Sequence, residues 1–242
     1  MLPRRKSRSR GALKRFLVLT ILALVVGGVV YLVQFSPVFN IQAIEIEGED
    51  VVGELDLSEA VGKNIIFWKL DLDPNEIPQV DSFEVQKNYI TREVKVIFLE
   101  RDRYAIWCMQ VQSECFWIDG EGFAFAPAPD LKGPVIFRLV RDYSDRELHL
   151  GDKVLEDGLL VNLKASFDFL EELDIPVREF SIENLKFREA TAHTSGGPQI
   201  YFSLQDDPGF GKAVVDSLKR GGEWEIISYI DLRVPGRAYY SQ

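Results

Sequence analysis

Residues 16–33 form an uncharged run built almost wholly from Leu, Val, Ile, Ala and Gly. It follows a start that carries seven cations (Arg4, Arg5, Lys6, Arg8, Arg10, Lys14 and Arg15) and no acid, and no charge returns until Glu45. At about 1.5 Å per helical residue this run roughly spans the ~30 Å hydrocarbon layer of a bilayer. A helix apolar on every side has no face to offer water. Tyr31 and Phe35 suit the far interface, and Lys and Arg beside a membrane segment stay on the cytoplasmic side. The expectation is a basic cytoplasmic tail (residues 1–15), one transmembrane helix (16–35) and everything beyond on the outer side. The tail acts as a topology signal that also meets lipid headgroups. A cleaved signal peptide shares the basic start, but its apolar core is shorter, roughly 7 to 15 residues. The exit sequence Tyr31-Leu-Val-Gln-Phe-Ser-Pro-Val-Phe39 also lacks a small-x-small cleavage site. An uncleaved anchor follows.

The whole chain has 28 basic and 38 acidic residues, so removing the seven tail cations leaves 21 against 38 in the outer part. A surface this acidic repels nucleic acid and anionic lipid as main partners and suits a partner with basic segments. With 16 Phe, 8 Tyr and 4 Trp, the outer part has ample core material for one large or two small domains.

Cys108 and Cys115 lie in two aromatic-rich strands around a polar turn, Trp107-Cys-Met-Gln-Val-Gln-Ser-Glu-Cys-Phe-Trp117. A turn centred on Val111 and Gln112 sets the two cysteines opposite each other. Opposed residues lie about 4.5 to 5.5 Å apart, within or near disulfide range. Oxidation to a disulfide in an extracytoplasmic compartment and a pair of free thiols both fit, and the redox compartment decides between them. A metal centre is not expected, because the chain's two histidines, His149 and His193, make no ligand spacing with the cysteines.

Alternation through Ile44 and Ile46 predicts a strand leaving the membrane over 39–47, ended by Gly48. Asp56 and Glu59 have capping-box spacing for a short helix, and Pro74 suits the first turn of a second. Residues 83–87 and 94–99 read as a hairpin. Beyond Tyr104 come the cysteine hairpin, Asp119-Gly-Glu-Gly122, and strands at 123–125 and 134–137. The clearest helix covers 154–173, where Leu155, Leu159, Leu163, Phe167 and Leu170 recur at three or four. Strands are then expected at 180–182, 185–187, 190–192 and 200–204, a helix at 211–219, and one long terminal strand at 226–240.

No constellation supplies a catalytic site. Gly209-Phe-Gly-Lys212 lacks the Walker spacing and the hydroxyl after the lysine, where Ala213 stands. Asp71, Asp73, Asn75 and Glu76 begin like a calcium loop, but its sixth position is Glu76 and its twelfth Ser82. His193-Thr-Ser-Gly-Gly197 falls in an expected turn and lacks a nucleophile elbow. The reading is therefore a non-enzyme with no cofactor and no small-molecule substrate.

In order, these segments resemble the bacterial cell-division family FtsQ/DivIB. The resemblance rests on Phe39-Asn-Ile-Gln-Ala-Ile-Glu-Ile-Glu-Gly48, Gly62-Lys-Asn-Ile-Ile-Phe67, Val85-Gln-Lys87, Val94-Lys-Val-Ile-Phe-Leu-Glu-Arg101, Ala105-Ile-Trp107 and Trp117-Ile-Asp119 with Gly122 and Phe125. Most specific is Tyr229-Ile-Asp-Leu-Arg-Val-Pro-Gly-Arg-Ala-Tyr-Tyr240. Two positions depart from the family pattern, Ile90 and Arg103 standing where members often carry Pro. The resemblance implies a single-pass membrane protein with an α+β outer part: a POTRA domain (β-α-α-β-β, residues 39–103), then a mixed β-rich domain with two helices (104–242). It also implies a plasma-membrane scaffold at the division septum, holding FtsB/FtsL-type coiled-coil partners and, through them, the septal peptidoglycan synthase machinery.

The implied docking route is β-augmentation, a partner strand adding to an open sheet edge. Tyr229, Asp231, Arg233, Arg237, Tyr239 and Tyr240 are the candidate contacts, with Ile230 and Leu232 facing the core. Trp224 is either a partner anchor or a gap-filler. Two other classes compete. A membrane-tethered envelope enzyme requires a concave site with perturbed titrating groups. A POTRA-containing secretion or insertion accessory requires lipid-facing barrel strands, which do not follow here.

Overall fold

A computed structural model describes residues 9–48, 55–73, 77–131 and 138–241, with side chains from residue 14 onward. The first helix, α1 (Ser9–Phe35), carries the apolar run. Its stretch Lys14–Phe35 is long and apolar enough to cross a membrane, and its side chains are exposed except at Val33. Contacts divide the chain into two compact units, Met1–Leu72 with Ser82–Leu99, and Asp73–Asp81 with Glu100–Gln242.

Beyond α1, the first unit is built on a three-stranded sheet of order β1-β3-β2, made by β1 (Ala43–Glu47), β2 (Val80–Asn88) and β3 (Glu93–Glu100). β1 runs parallel to β3, Ala43 beside Glu93 and Glu47 beside Ile97. Val94, Val96 and Phe98 alternate along β3 onto one face and are buried, as are Ile41, Ala60 and Ile65. Gly48 turns the chain away from β1 at φ +92°, with the space for a Cβ only 3.0 Å from the Phe98 carbonyl oxygen, so a side chain fits there neither sterically nor conformationally.

Three expectations change in this unit. The strand starts at Ala43 because Pro37–Phe39 forms a 3-10 turn capped by Ser36. No capping box forms: Asp56 Oδ1 accepts from the Ser58 N–H at 2.8 Å, an Asx turn that leads into a single 3-10 turn, Ser58–Ala60. The helix expected at Pro74 starts outside the described residues. The boundary also moves, since residues 73–81 join the second unit. Arg101 explains this: its backbone N–H donates to Gln79 O at 3.0 Å, its Nε to Pro78 O at 3.0 Å, and its guanidinium pairs with buried Asp119 at 2.7 Å.

The second unit is a mixed nine-stranded sheet of order β12-β11-β10-β9-β8-β7-β4-β5-β6. Its strands are β4 (Ala105–Met109), β5 (Glu114–Ile118), β6 (Ala124–Pro127), β7 (Leu139–Asp142), β8 (Val177–Ile182), β9 (Glu189–Thr194), β10 (Gln199–Ser203), β11 (Tyr229–Leu232) and β12 (Tyr239–Ser241). Helices α2 (Asp157–Glu172) and α3 (Lys212–Arg220) pack on one face. Leu160, Leu163, Phe167 and Leu170 of α2 and Val215 and Leu218 of α3 share a core with alternate strand residues such as Trp107, Phe180, Ile200, Phe202, Ile230 and Leu232. Burying each of these large side chains contributes about 1.5 to 3 kcal/mol. On the opposite face, Ile106, Cys108, Cys115, Trp117, Phe125 and Leu139 pack beneath Ala126, Ala128 and Leu131. β4, apolar throughout, is buried on both sides, as a central strand must be.

The expected helix at 154–173 begins at Asp157; Val154 and Leu155 stay buried in the approach to it. Residues 185–187 form a 3-10 turn instead of a strand, because Asn184 caps it and Arg188 leaves it in the left-handed region at φ +55°. The strand expected at 134–137 lies outside the described residues, and β7 begins at Leu139. The largest correction concerns 226–240. Val234-Pro-Gly-Arg237 reverses the chain, with Gly236 at φ +73° and the Arg237 N–H donating to Val234 O at 3.0 Å. Pro then Gly at the centre of a turn is the type II pattern. One long strand therefore becomes the hairpin β11–β12.

Candidate partner-binding edge

β11 is paired on both sides: parallel to β10, with Ile200 beside Ile230, and antiparallel to β12, with Ile230 beside Tyr240. The expectation that Tyr229 to Leu232 offers an open edge is therefore wrong. β12, three residues long, takes that position, and among the described residues no further strand joins it.

The register sorts the candidate contacts. Tyr229 sits beside Gln199 and Ser241, and Asp231 beside Tyr201 and Tyr239. Since Ile230 and Leu232 face the helices, Tyr229, Asp231 and Tyr239 share the other face. Tyr240, paired with Ile230, lies on the helix side and is half exposed. Arg237 belongs to the turn, donating from Nη1 to the Tyr239 hydroxyl at 3.3 Å. Trp224, half-buried, packs against the main core, and a Cβ on Gly197 would come within 2.1 Å of its Nε1.

Asp231 and Arg233 form a fork. Arg233 donates from Nε to Oδ1 at 2.9 Å and from Nη2 to Oδ2 at 2.6 Å, while its backbone N–H also donates to Oδ1 at 3.0 Å. Nη1 reaches Glu189 Oε2 of β9 at 2.8 Å. The guanidinium hydrogen bonds hold the Asp231 carboxyl below the usual carboxylate range, and the two carboxylates raise the arginine further. The guanidinium also lies 5.1 Å from the Tyr201 ring centre, and Tyr201 is 5.9 Å from Tyr229. Glu189 and Tyr201 were not among the sequence candidates. Alternation in Gln199-Ile-Tyr-Phe-Ser203 carries the signal for Tyr201, whereas Glu189 is placed only by the β9–β10 pairing.

Elsewhere, Cys108 and Cys115 are directly opposed in the β4–β5 ladder and joined as a disulfide. Their sulfurs and an Asp130 oxygen form a group within 4.8 Å, but both sulfurs are committed to the disulfide and Arg141 pairs with Asp130 at 2.9 Å. His193 lies in β9 and not in a turn; its Nε2 is 2.9 Å from the Ser181 hydroxyl of β8. Burial pushes the Tyr104 phenol up to about 12, which keeps it neutral beneath Arg138.

No protein-family model matches the chain, and no curated protein matches it.

Proposed function

We propose that this protein is a bitopic cell-division scaffold of the FtsQ/DivIB kind, with its amino terminus in the cytoplasm and its outer part at the septum. Its role is to hold FtsB/FtsL-type partners and link them to septal peptidoglycan synthesis. The observation that carries the reading is the β12 edge: a short, tyrosine-bearing strand ends a nine-stranded sheet in a chain whose first helix is suited to a membrane. A partner strand added beside β12 gains main-chain hydrogen bonds, and Tyr239 and Tyr240 supply one contact on each face. The order strand, connection, strand, strand in the first unit, with β1 lying beside β3, supports a POTRA-type domain next to the anchor.

The strongly acidic outer part agrees with a partner bearing basic segments. A fluorescent fusion of the full chain tests the role. A band at mid-cell is expected, and a uniform envelope signal in dividing cells overturns it.

A further inference from the structure

The end of the first unit nearest α1 is unlike the rest of its surface. Asn64 Nδ2 donates to Val33 O at 2.7 Å and to Gln34 O at 3.4 Å, so a side chain of the outer unit satisfies carbonyls that the last turn of α1 leaves open. The neighbouring backbone is stitched to the same place: Ile65 N donates to Phe39 O at 2.8 Å and Ile41 N to Lys63 O at 2.9 Å. The segment 63–67 is thereby held at the exit of the helix. Lys87, near the end of β2, donates to Ile65 O and Trp68 O, which brings the β2–β3 turn to this end too. Gln42 N, donating to Arg92 O at 2.8 Å, fixes the other side of that turn beside the start of β1.

This end carries exposed apolar side chains that a water-facing surface does not explain. Val38, Ile66 and Phe67 are exposed, and Ile90 at the tip of the β2–β3 turn is 94% exposed. Lys63 and Lys69, which flank Ile66 and Phe67 in sequence, are exposed too. Apolar and aromatic tips with lysines beside them are the composition of surfaces that rest in the headgroup layer, where the tips reach the acyl boundary and the ammonium groups meet phosphates.

We infer that this rim is a lipid-binding surface: Val38, Ile66, Phe67 and Ile90 enter the phospholipid interface at the exit of α1, with Lys63 and Lys69 on lipid phosphates. Asn64 sets the geometry, because it ties the rim to the helix end. The inference rests on α1 spanning the bilayer and is independent of the division role.

Single cysteines test it in the full chain, since Cys108 and Cys115 are joined as a disulfide and do not compete for a thiol label. Phe67→Cys, Ile90→Cys, Leu24→Cys and Leu99→Cys are each labelled with an environment-sensitive fluorophore. The proteins are placed in vesicles of phosphatidylcholine and phosphatidylglycerol, and quenching by nitroxide lipids is read. Leu99 is the control, exposed and apolar but six residues along β3 from Glu93, roughly 20 Å at about 3.4 Å per residue. Labels at 67 and 90 are expected to shift to the blue and be quenched by headgroup-proximal nitroxide. The label at 24 should be quenched by mid-chain nitroxide, and the label at 99 by neither. Water-like emission at 67 or 90 with the label at 24 in lipid overturns the rim and leaves the anchor standing. Water-like emission at 24 overturns both. Because the vesicles hold no other protein, quenching there also separates lipid from a protein partner.

Discussion

The two ends of the nine-stranded sheet solve the same problem in opposite ways. At one end, the outer side of β6 is covered by the chain itself: Ala124 N donates to Asp152 O at 2.9 Å, Gly151 N to Ala124 O at 2.7 Å and Val154 N to Gly122 O at 2.9 Å. Pro127 finishes the strand without an N–H to offer. At the other end β12 has β11 on one side and no further strand among the described residues on the other. An open edge invites pairing with other chains, and proteins that keep one normally keep it short. β12 is three residues long. The difference teaches that the sheet's closed end is held by the fold itself while its other end is left to the proposed partner, and substitutions at the two ends should separate stability from binding.

The largest loss of stability is expected at the closed end. Gly122 has φ +81°, and a Cβ there would lie 2.9 Å from Leu160 Cδ2 in the main core. Gly122→Ala therefore combines backbone strain with a core collision, and unfolding in urea should show a loss of about 2 to 3 kcal/mol. A loss under 1 kcal/mol would mean that the β6 side is not the rigid end. Next in size is the disulfide beside it. Replacing both cysteines by Ala opens a loop with sequence separation 7 and should cost about 2 kcal/mol. The reduced wild type should match the double variant by thermal melting.

Gly236 supplies the open end's counterpart. It also has a positive φ, +73°, but nothing stands within 4 Å of a Cβ built there. Gly236→Ala then carries the backbone term alone, about 1 kcal/mol. If the two glycine variants cost the same, the core contact at Gly122 is not what distinguishes the ends.

How much of this asymmetry is legible in the sequence depends on the range of the contacts involved. The long apolar helix α1, the cysteine hairpin and α2 follow from local pattern alone, because apolar runs, opposed cysteines and a three-to-four repeat need no knowledge of distant neighbours. The β11–β12 turn was also written locally, in Pro235-Gly236, but alternation through Ile230, Leu232 and Val234 masks it. The closed edge was not readable, since Gly151 to Val154 reach β6 only by hydrogen bonds across some thirty residues. Among the site residues, Asp231, Arg233 and Tyr239 fall on one face as alternation requires. Glu189 joins them only because β9 and β11 flank β10.

A smaller effect is expected from the fork at the open end. The Asp231 carboxyl is depressed first by its hydrogen bonds from Arg233. A depressed carboxyl contributes stability above its unfolded value, near 3.9, and loses it as pH falls through the folded value. Asp231→Asn should be less stable than the wild type at neutral pH, and the gap should close as pH drops below about 4. Urea midpoints measured across that range check it, and a gap that persists at low pH would assign the loss to packing instead of charge.

The smallest change in stability and the sharpest test of the comparison coincide in β12. Tyr239 is exposed on the face it shares with Asp231, so Tyr239→Lys removes little buried surface and should shift stability by no more than about 0.5 kcal/mol. A lysine on an edge strand resists the approach of a second strand, and a partner with basic segments feels the added charge as well. Pull-down of the proposed coiled-coil partner pair should therefore fail with this variant while the urea midpoint stays in place. Gly122→Ala, measured below its own unfolding transition, should still capture the pair. The reverse outcome, with Tyr239→Lys binding normally and Gly122→Ala not binding while folded, would move recognition to the β6 end and remove the open edge from the mechanism.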